Sequence, residues 1–176
     1  MKHIFGMLGI ILLVGVIAFG VVNGSKSTNS EYLRIHITAN SNQVVDQNVK
    51  YQIKDSVVEY LIPFLSECET KQDATVVIES KLTDIENVAN AVLSKNNLSY
   101  KSKVYTDCEK IPTRSYDGFV VEEGFYDALV INLGEAQGDN WWCVVYPPLC
   151  FLNPKTSSNI KYKSKIVEIV KKIIGQ

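Results

Sequence analysis

Tyr32–Leu65 reads YLRIHITANSNQVVDQNVKYQIKDSVVEYLIPFL, and within it the apolar residues change their spacing. At first Leu33, Ile35 and Ile37 alternate with Arg34, His36 and Thr38. A period of two is a strand with one buried face. Asn40 and Ser41 stop it, and both are residues that cap helices. From Gln43 to Leu65 the step becomes four, through Val45, Val49, Ile53, Val57 and Leu61, with Val58 and Ile62 widening the stripe. That is an amphipathic helix. Asp46 sits in its first turn, where the helix dipole favours a negative charge, and Pro63 marks its last turn.

Asp73 to Leu98 carries one or two more helices. Val76, Val77 and Ile78 form a short apolar cluster, and Thr83 with Glu86 has the spacing of a capping box that restarts the helix. Ile85, Val88, Ala89, Val92 and Leu93 face inward, and Asn96 and Asn97 end the run. Beyond it the character changes. Tyr100–Thr106, Thr113–Val121, Tyr126–Leu133 and Trp141–Tyr146 read as strands, the later ones separated by short glycine-bearing turns, which is the pattern of an antiparallel meander. A lysine-rich helix is expected from Lys163 to Ile174. One strand and its helices, then a run of strands, then a closing helix make a single α+β domain over residues 32–176.

The 176-residue chain has a net charge of -1, which does not suggest a nucleic-acid binder. Ile4 to Val22 carries no charge, follows Lys2 and His3, and precedes Asn23-Gly24-Ser25. This is the layout of an export signal over residues 1–24, and the run is nearly long enough to span a bilayer. It fits a cleaved signal and a retained membrane anchor through residues 4–22 alike; either places the remainder outside the cytoplasm. Residues 25–31 are a polar linker. The four cysteines, Cys68, Cys108, Cys143 and Cys150, all follow it. In an exported domain an even count permits disulfides.

Chemistry is sparse. His36 is the only histidine after the export segment and no CxxC pair exists, so the sequence points to no metal site and no cofactor. Mid-strand and beside Arg34, His36 reads as a structural or contact residue rather than part of a catalytic triad. Gly134-Glu-Ala-Gln-Gly138 leads into a strand, not a helix, and so reads as a turn rather than a phosphate loop. Eight acids (Asp107, Glu109, Asp117, Glu122, Glu123, Asp127, Glu135, Asp139) stand against Lys110 and Arg114. A pair of them suits acid–base hydrolysis, but most fall in expected turns. Lys155 to Gln176 reads as a packing helix with a solvated basic face in preference to one lying on a membrane.

Asn140–Phe151, NWWCVVYPPLCF, holds both tryptophans of the chain. Pro147 and Pro148 must end strand pairing near Tyr146. A bend there brings Cys143 towards Cys150, and export with proximity favours a disulfide over two buried thiols. Adjacent strand residues point to opposite faces, so Trp141 and Trp142 cannot both enter one core. One is expected to be buried and the other to cover an exposed face or a partner, as binding hot spots do; two packing tryptophans are the alternative.

Asn140-Trp-Trp-Cys143 followed by Pro147-Pro-Leu-Cys-Phe151 resembles the signature of the stage II sporulation protein R family. Leu33–Ser41 with Asp46, Gln47, Lys50 and Asp55 resembles the family's first strand and helix; Ile111–Tyr116 and Gly124–Leu129 resemble its middle motifs. One departure is Ala136, where the resemblance leads to glycine. The resemblance implies a signal, not an enzyme. It is exported across the inner forespore membrane into the space between two cells, where it triggers a membrane-embedded aspartic protease that cleaves the precursor of sigma factor E. The expected partner surface combines Trp141, Trp142, Pro147, Pro148, Leu149 and Phe151 with His36 and Asn40. The alternative is a secreted hydrolase of the cell envelope using the carboxylates.

Overall fold

A computed structural model of the chain describes residues 30–116 and 119–151, and of Phe151 the backbone only. The apolar segment 4–22, residues 25–29 of the linker and the expected C-terminal helix lie outside the described residues. Among the described residues no helix is long and apolar enough to cross a membrane.

The elements are β1 (Leu33–Thr38), α1 (Val44–Leu65), α2 (Lys71–Ser80), α3 (Leu82–Lys95), β2 (Ser102–Ile111), β3 (Arg114–Tyr116), β4 (Phe119–Val121), β5 (Gly124–Leu133) and β6 (Asn140–Tyr146), with a short 3-10 turn at Leu149–Phe151. The class is α+β, as the order of patterns requires. β2 and β5 pair antiparallel, and β3 and β4 form a separate two-stranded hairpin between them in sequence. β6 does not pair with β5. The first strand is inserted between them, giving the order β2-β5-β1-β6 with β1 parallel to β5 and antiparallel to β6.

The alternation in β1 sets the two faces. Leu33, Ile35 and Ile37 are fully buried with Leu129, Ile131, Leu133 and Val145 against Val49, Ile53, Val57 and Leu61 of α1 and Ile85, Ala89 and Leu93 of α3. Burying such a side chain contributes about 1.5–3 kcal/mol, so this layer dominates the core. A smaller cluster lies on the other face, where Ala128, Val130 and Val144 meet Tyr126, Ile111, Val121 and Leu149.

Three local expectations change. Val45 is 46% exposed, and the inward position in the first turn of α1 belongs to Asp46 instead. The capping box is not Thr83 with Glu86. It is Thr70 with Asp73 at the start of α2, each bonding the other's backbone N–H. The carboxylate of Glu86 instead accepts from the Val104 N–H of β2. Finally, Val76 points to solvent while Ile78 is buried, because α2 offers only a narrow face to the core.

Candidate partner-binding surface

The side chains that alternate away from the helices form a polar and aromatic face. The β1–β6 register places Trp142 opposite His36, Asn140 opposite Thr38 and Val144 opposite Arg34. His36 and Trp142 stack, with ring centroids 5.4 Å apart and planes at 19°. Nδ1 of His36 meets the carboxylate of Glu109 from β2. Its Nε2 meets Oδ1 of Asn140 at 2.8 Å, and Thr38 Oγ1 donates to the same oxygen at 2.9 Å. From the hairpin, the Arg114 guanidinium lies over the Trp142 ring at 4.4 Å. Beneath them Arg34 is wholly buried; its Nε donates to the Cys143 carbonyl at 3.0 Å and Nη2 to the Tyr116 hydroxyl at 2.9 Å. That hydroxyl donates in turn to the Trp142 carbonyl at 3.2 Å. Burial pulls the Arg34 guanidinium below its ordinary pKa, against the opposing influence of Tyr116.

Burial also acts to lower the His36 pKa, but the hydrogen bonds from Glu109 and Asn140 and the Glu109 charge outweigh it, and the pKa is raised. A folded pKa above the unfolded value gives stability that is full below about pH 6.5 and is lost as pH rises through the folded value. Thermal melts should therefore show a lower midpoint at pH 8 than at pH 6. His36→Gln should flatten that slope; an unchanged slope would remove His36 as its source.

Trp141 and Trp142 do face opposite ways. Trp141, opposite Ile37, packs at the margin of the main core with the Lys54 ammonium 5.8 Å from its ring, and Trp142 packs against the smaller cluster. Both are half-buried. Pro147, Pro148 and Leu149 are buried, so what they supply is the course of the chain rather than an open surface. The Phe151 side chain lies outside the described residues. Cys143 and Cys150 form a disulfide, with Cα atoms 5.9 Å apart and a sequence separation of 7. Closing so short a loop stabilises by about 2.5 kcal/mol in the chain-entropy model. The Cys143→Ala/Cys150→Ala variant should lose about that much in urea unfolding. A loss near zero would mean that the bend holds without the bond. Cys68 is a buried thiol whose pKa burial raises, with Asp73 and Glu67 adding to the effect.

Asn40 belongs to a different place, the junction after β1. Its Nδ2 donates to Asp46 Oδ2 at 2.8 Å and its Oδ1 accepts from the Glu135 N–H at 2.9 Å. Ser41 Oγ and the Tyr100 hydroxyl also donate to Asp46, each at 2.6 Å. Next to it, buried Lys50 donates to Gln47 Oε1 at 2.6 Å and to the Asp139 carbonyl at 2.8 Å. Ala136 in the facing turn has φ of +50°. In that left-handed region a residue with a Cβ costs about 1–2 kcal/mol more than glycine, which fits glycine as the expected occupant. By sequence alone Asp46 has only the helix dipole to account for it, and Gln47 and Lys50 have no role beyond the resemblance. Nor does local pattern bring Arg34, Arg114 and Tyr116 together. For Asp46 and Lys50 the available signal is a charge at helix spacing with Val49, Ile53 and Val57.

The carboxylates are dispersed. Glu109 pairs with His36, Glu123 with Lys110 and Asp127 with Lys71. Glu122 accepts from Thr113 Oγ1 at 3.3 Å. Asp107 and Asp127 line a cleft with Glu79, and Asp117 lies outside the described residues. Among the described residues no group of three His, Cys, Asp or Glu is placed to hold a metal ion.

Residues 29–156 match the family model of stage II sporulation protein R. The chain is also 35% identical over 129 residues to stage II sporulation protein R of Bacillus subtilis (strain 168), an alignment covering 73% of this chain and 58% of that protein. The chain thus spans less than two thirds of that relative's length. No solved structure matches it. The matched stretch contains β1, the Asp46 junction, the Arg114 hairpin and the whole Trp141–Phe151 segment, and the chain belongs to the stage II sporulation protein R family, which gives it a role in sporulation.

Proposed function

We propose that the chain is an exported signal of endospore formation. It crosses the inner forespore membrane, is anchored through residues 4–22 or released, and acts between the two cells. There it activates the membrane-embedded aspartic peptidase that processes the precursor of sigma factor E. Family membership over residues 29–156 is the observation that carries this reading. The half-buried Trp142, held between His36 and Arg114, supports the choice of contact face.

In this role the chain is a ligand, not a catalyst. It works by population shift, binding better to the receptor state whose protease is assembled. Turning a receptor from about 1:99 to 99:1 requires roughly 10⁴-fold preference for that state. A rigid aromatic anchor contributes a large part of such a preference.

The test is to express the peptidase and the sigma-factor precursor in a host that does not sporulate, with and without this chain. Cleavage should depend on the chain. If both proteins are present and correctly located and the precursor stays intact, the reading fails. A second reading, a carboxylate-dependent envelope hydrolase, has one observation in its favour: Glu79, Asp107 and Asp127 line one cleft of about 190 Å³. It requires the purified chain to turn over a substrate and Asp107→Asn to stop it. The ion pair of Asp127 with Lys71 favours the first reading, since it engages one of the acids structurally.

A further inference from the structure

Two arginines converge on Tyr116 and Trp142, and neither has an ion pair among the described residues. Arg34 is 0% exposed, and its Nη1 has no hydrogen-bond partner. Two aromatic rings lie beside it, with the guanidinium 5.0 Å from the Tyr126 ring and 5.8 Å from that of Tyr116. Among the described residues Arg114 makes one hydrogen bond, from Nη1 to the adjoining Thr113 carbonyl at 3.0 Å, and its Nε–Nη2 edge has no partner. Both guanidinium charges act on the Tyr116 hydroxyl between them.

Among the described residues Lys54, Lys71, Lys81 and Lys110 each pair with a carboxylate, and buried Lys50 donates to two oxygens, whereas Arg34 is buried with its Nη1 unpartnered. The chain as a whole carries -1, so the local excess does not come from a basic composition. Of the acids near this face among the described residues, Glu109 is engaged by His36 and Glu122 accepts from Thr113 Oγ1. A buried cation without a counter-charge is costly to hold. Such a charge beneath an aromatic platform, beside a second guanidinium with a free edge, is the arrangement that receives an anion.

We propose that this Arg114–Trp142–Arg34 patch takes a carboxylate from an acidic peptide segment of the partner protein. Arg114 grips it in a fork through Nε and Nη2, Trp142 provides the flat wall, and Arg34 supplies uncompensated positive charge from beneath. The inference rests on the reading of the Trp142 face as the contact surface and adds the chemistry of what it contacts.

The test uses the full chain in mild detergent in a Trp141→Phe background, so that Trp142 alone reports. The probe is an acidic hexapeptide, acetyl-Gly-Asp-Glu-Leu-Asp-Gly-amide, against its Asn/Gln isostere. The acidic peptide should change Trp142 emission saturably and bind more weakly at high salt. Arg114→Gln should weaken it about tenfold or more, and Arg114→Lys, which keeps the charge but loses the fork, should fall between. Melting curves establish that each variant is folded. Equal responses to the two peptides, or equal responses of wild type and Arg114→Gln, would overturn the proposal. So would a response confined to vesicles of anionic phospholipid. In the co-expression assay Arg114→Gln should lower precursor cleavage. If the peptide binds as expected but the unmodified chain triggers no cleavage, the carboxylate site stands and the protease reading falls.

Discussion

Trp142→Ala is expected to abolish activation of the peptidase while leaving the domain folded. The ring is half-buried on the polar face, stacked on His36 and covered by the Arg114 guanidinium. Truncation removes a large rigid surface there and frees His36 and Arg114 from a fixed position. A hot-spot aromatic contributes about 2 kcal/mol or more to binding, so cleavage at limiting chain should fall at least about thirtyfold. The stability cost should be smaller than for a core tryptophan, about 1–2 kcal/mol, because the ring packs against the minor apolar cluster and not the main one. Trp141→Ala supplies the contrast. That ring lies against the main core on the helix side, so its loss should lower the melting temperature more and activation less. The measurement is precursor cleavage in the co-expression assay alongside melts of each purified variant. A Trp142→Ala chain that is folded and fully active would remove this face from the contact surface.

What could be read in the chain beforehand was whatever depends on local period. Leu33, Ile35 and Ile37 announce a strand buried on one side. The four-residue step announces α1, and alternation alone separates Trp141 from Trp142. The position of β1 between β5 and β6 was not legible, because parallel pairing with a strand some ninety residues later leaves no mark on local spacing. The Thr113–Val121 stretch read as one strand, but it folds back on itself as β3 and β4. Val45 looked like the start of the helix stripe by spacing. Asp46 displaces it because Tyr100, far along the chain, supplies a hydroxyl that makes a buried carboxylate tolerable. The same limit applies to the candidate surface. His36 stands out in the sequence by its isolation, whereas the arginines that flank Trp142 come together only through the hairpin.

Asp46→Ala should produce the largest loss of stability of any single substitution considered. The carboxylate is 3% exposed and accepts from Asn40, Ser41 and Tyr100. Burial opposes its ionisation, but those hydrogen bonds outweigh burial and hold its pKa below the ordinary value. Alanine leaves three donors without their acceptor in a place with no room to rearrange. A Cβ added at Gly138 would come within 2.3 Å of the Ser41 carbonyl, and one at Gly134 within 2.2 Å of Asn40 Oδ1. The expected cost is about 3–5 kcal/mol, a large share of the 5–15 kcal/mol of a typical domain. Asp46→Asn keeps one acceptor oxygen and should cost less. The pH dependence gives an independent check. A depressed carboxyl pKa contributes stability that is present above the unfolded value, about 3.9, and is lost as pH falls through the folded value. Urea midpoints of wild type should therefore drop below about pH 4 more steeply than those of Asp46→Asn. Parallel acid profiles, or an Asp46→Ala chain within 1 kcal/mol of wild type, would mean that the junction after β1 is held by its backbone bonds, and that Asn40 is available to a partner after all.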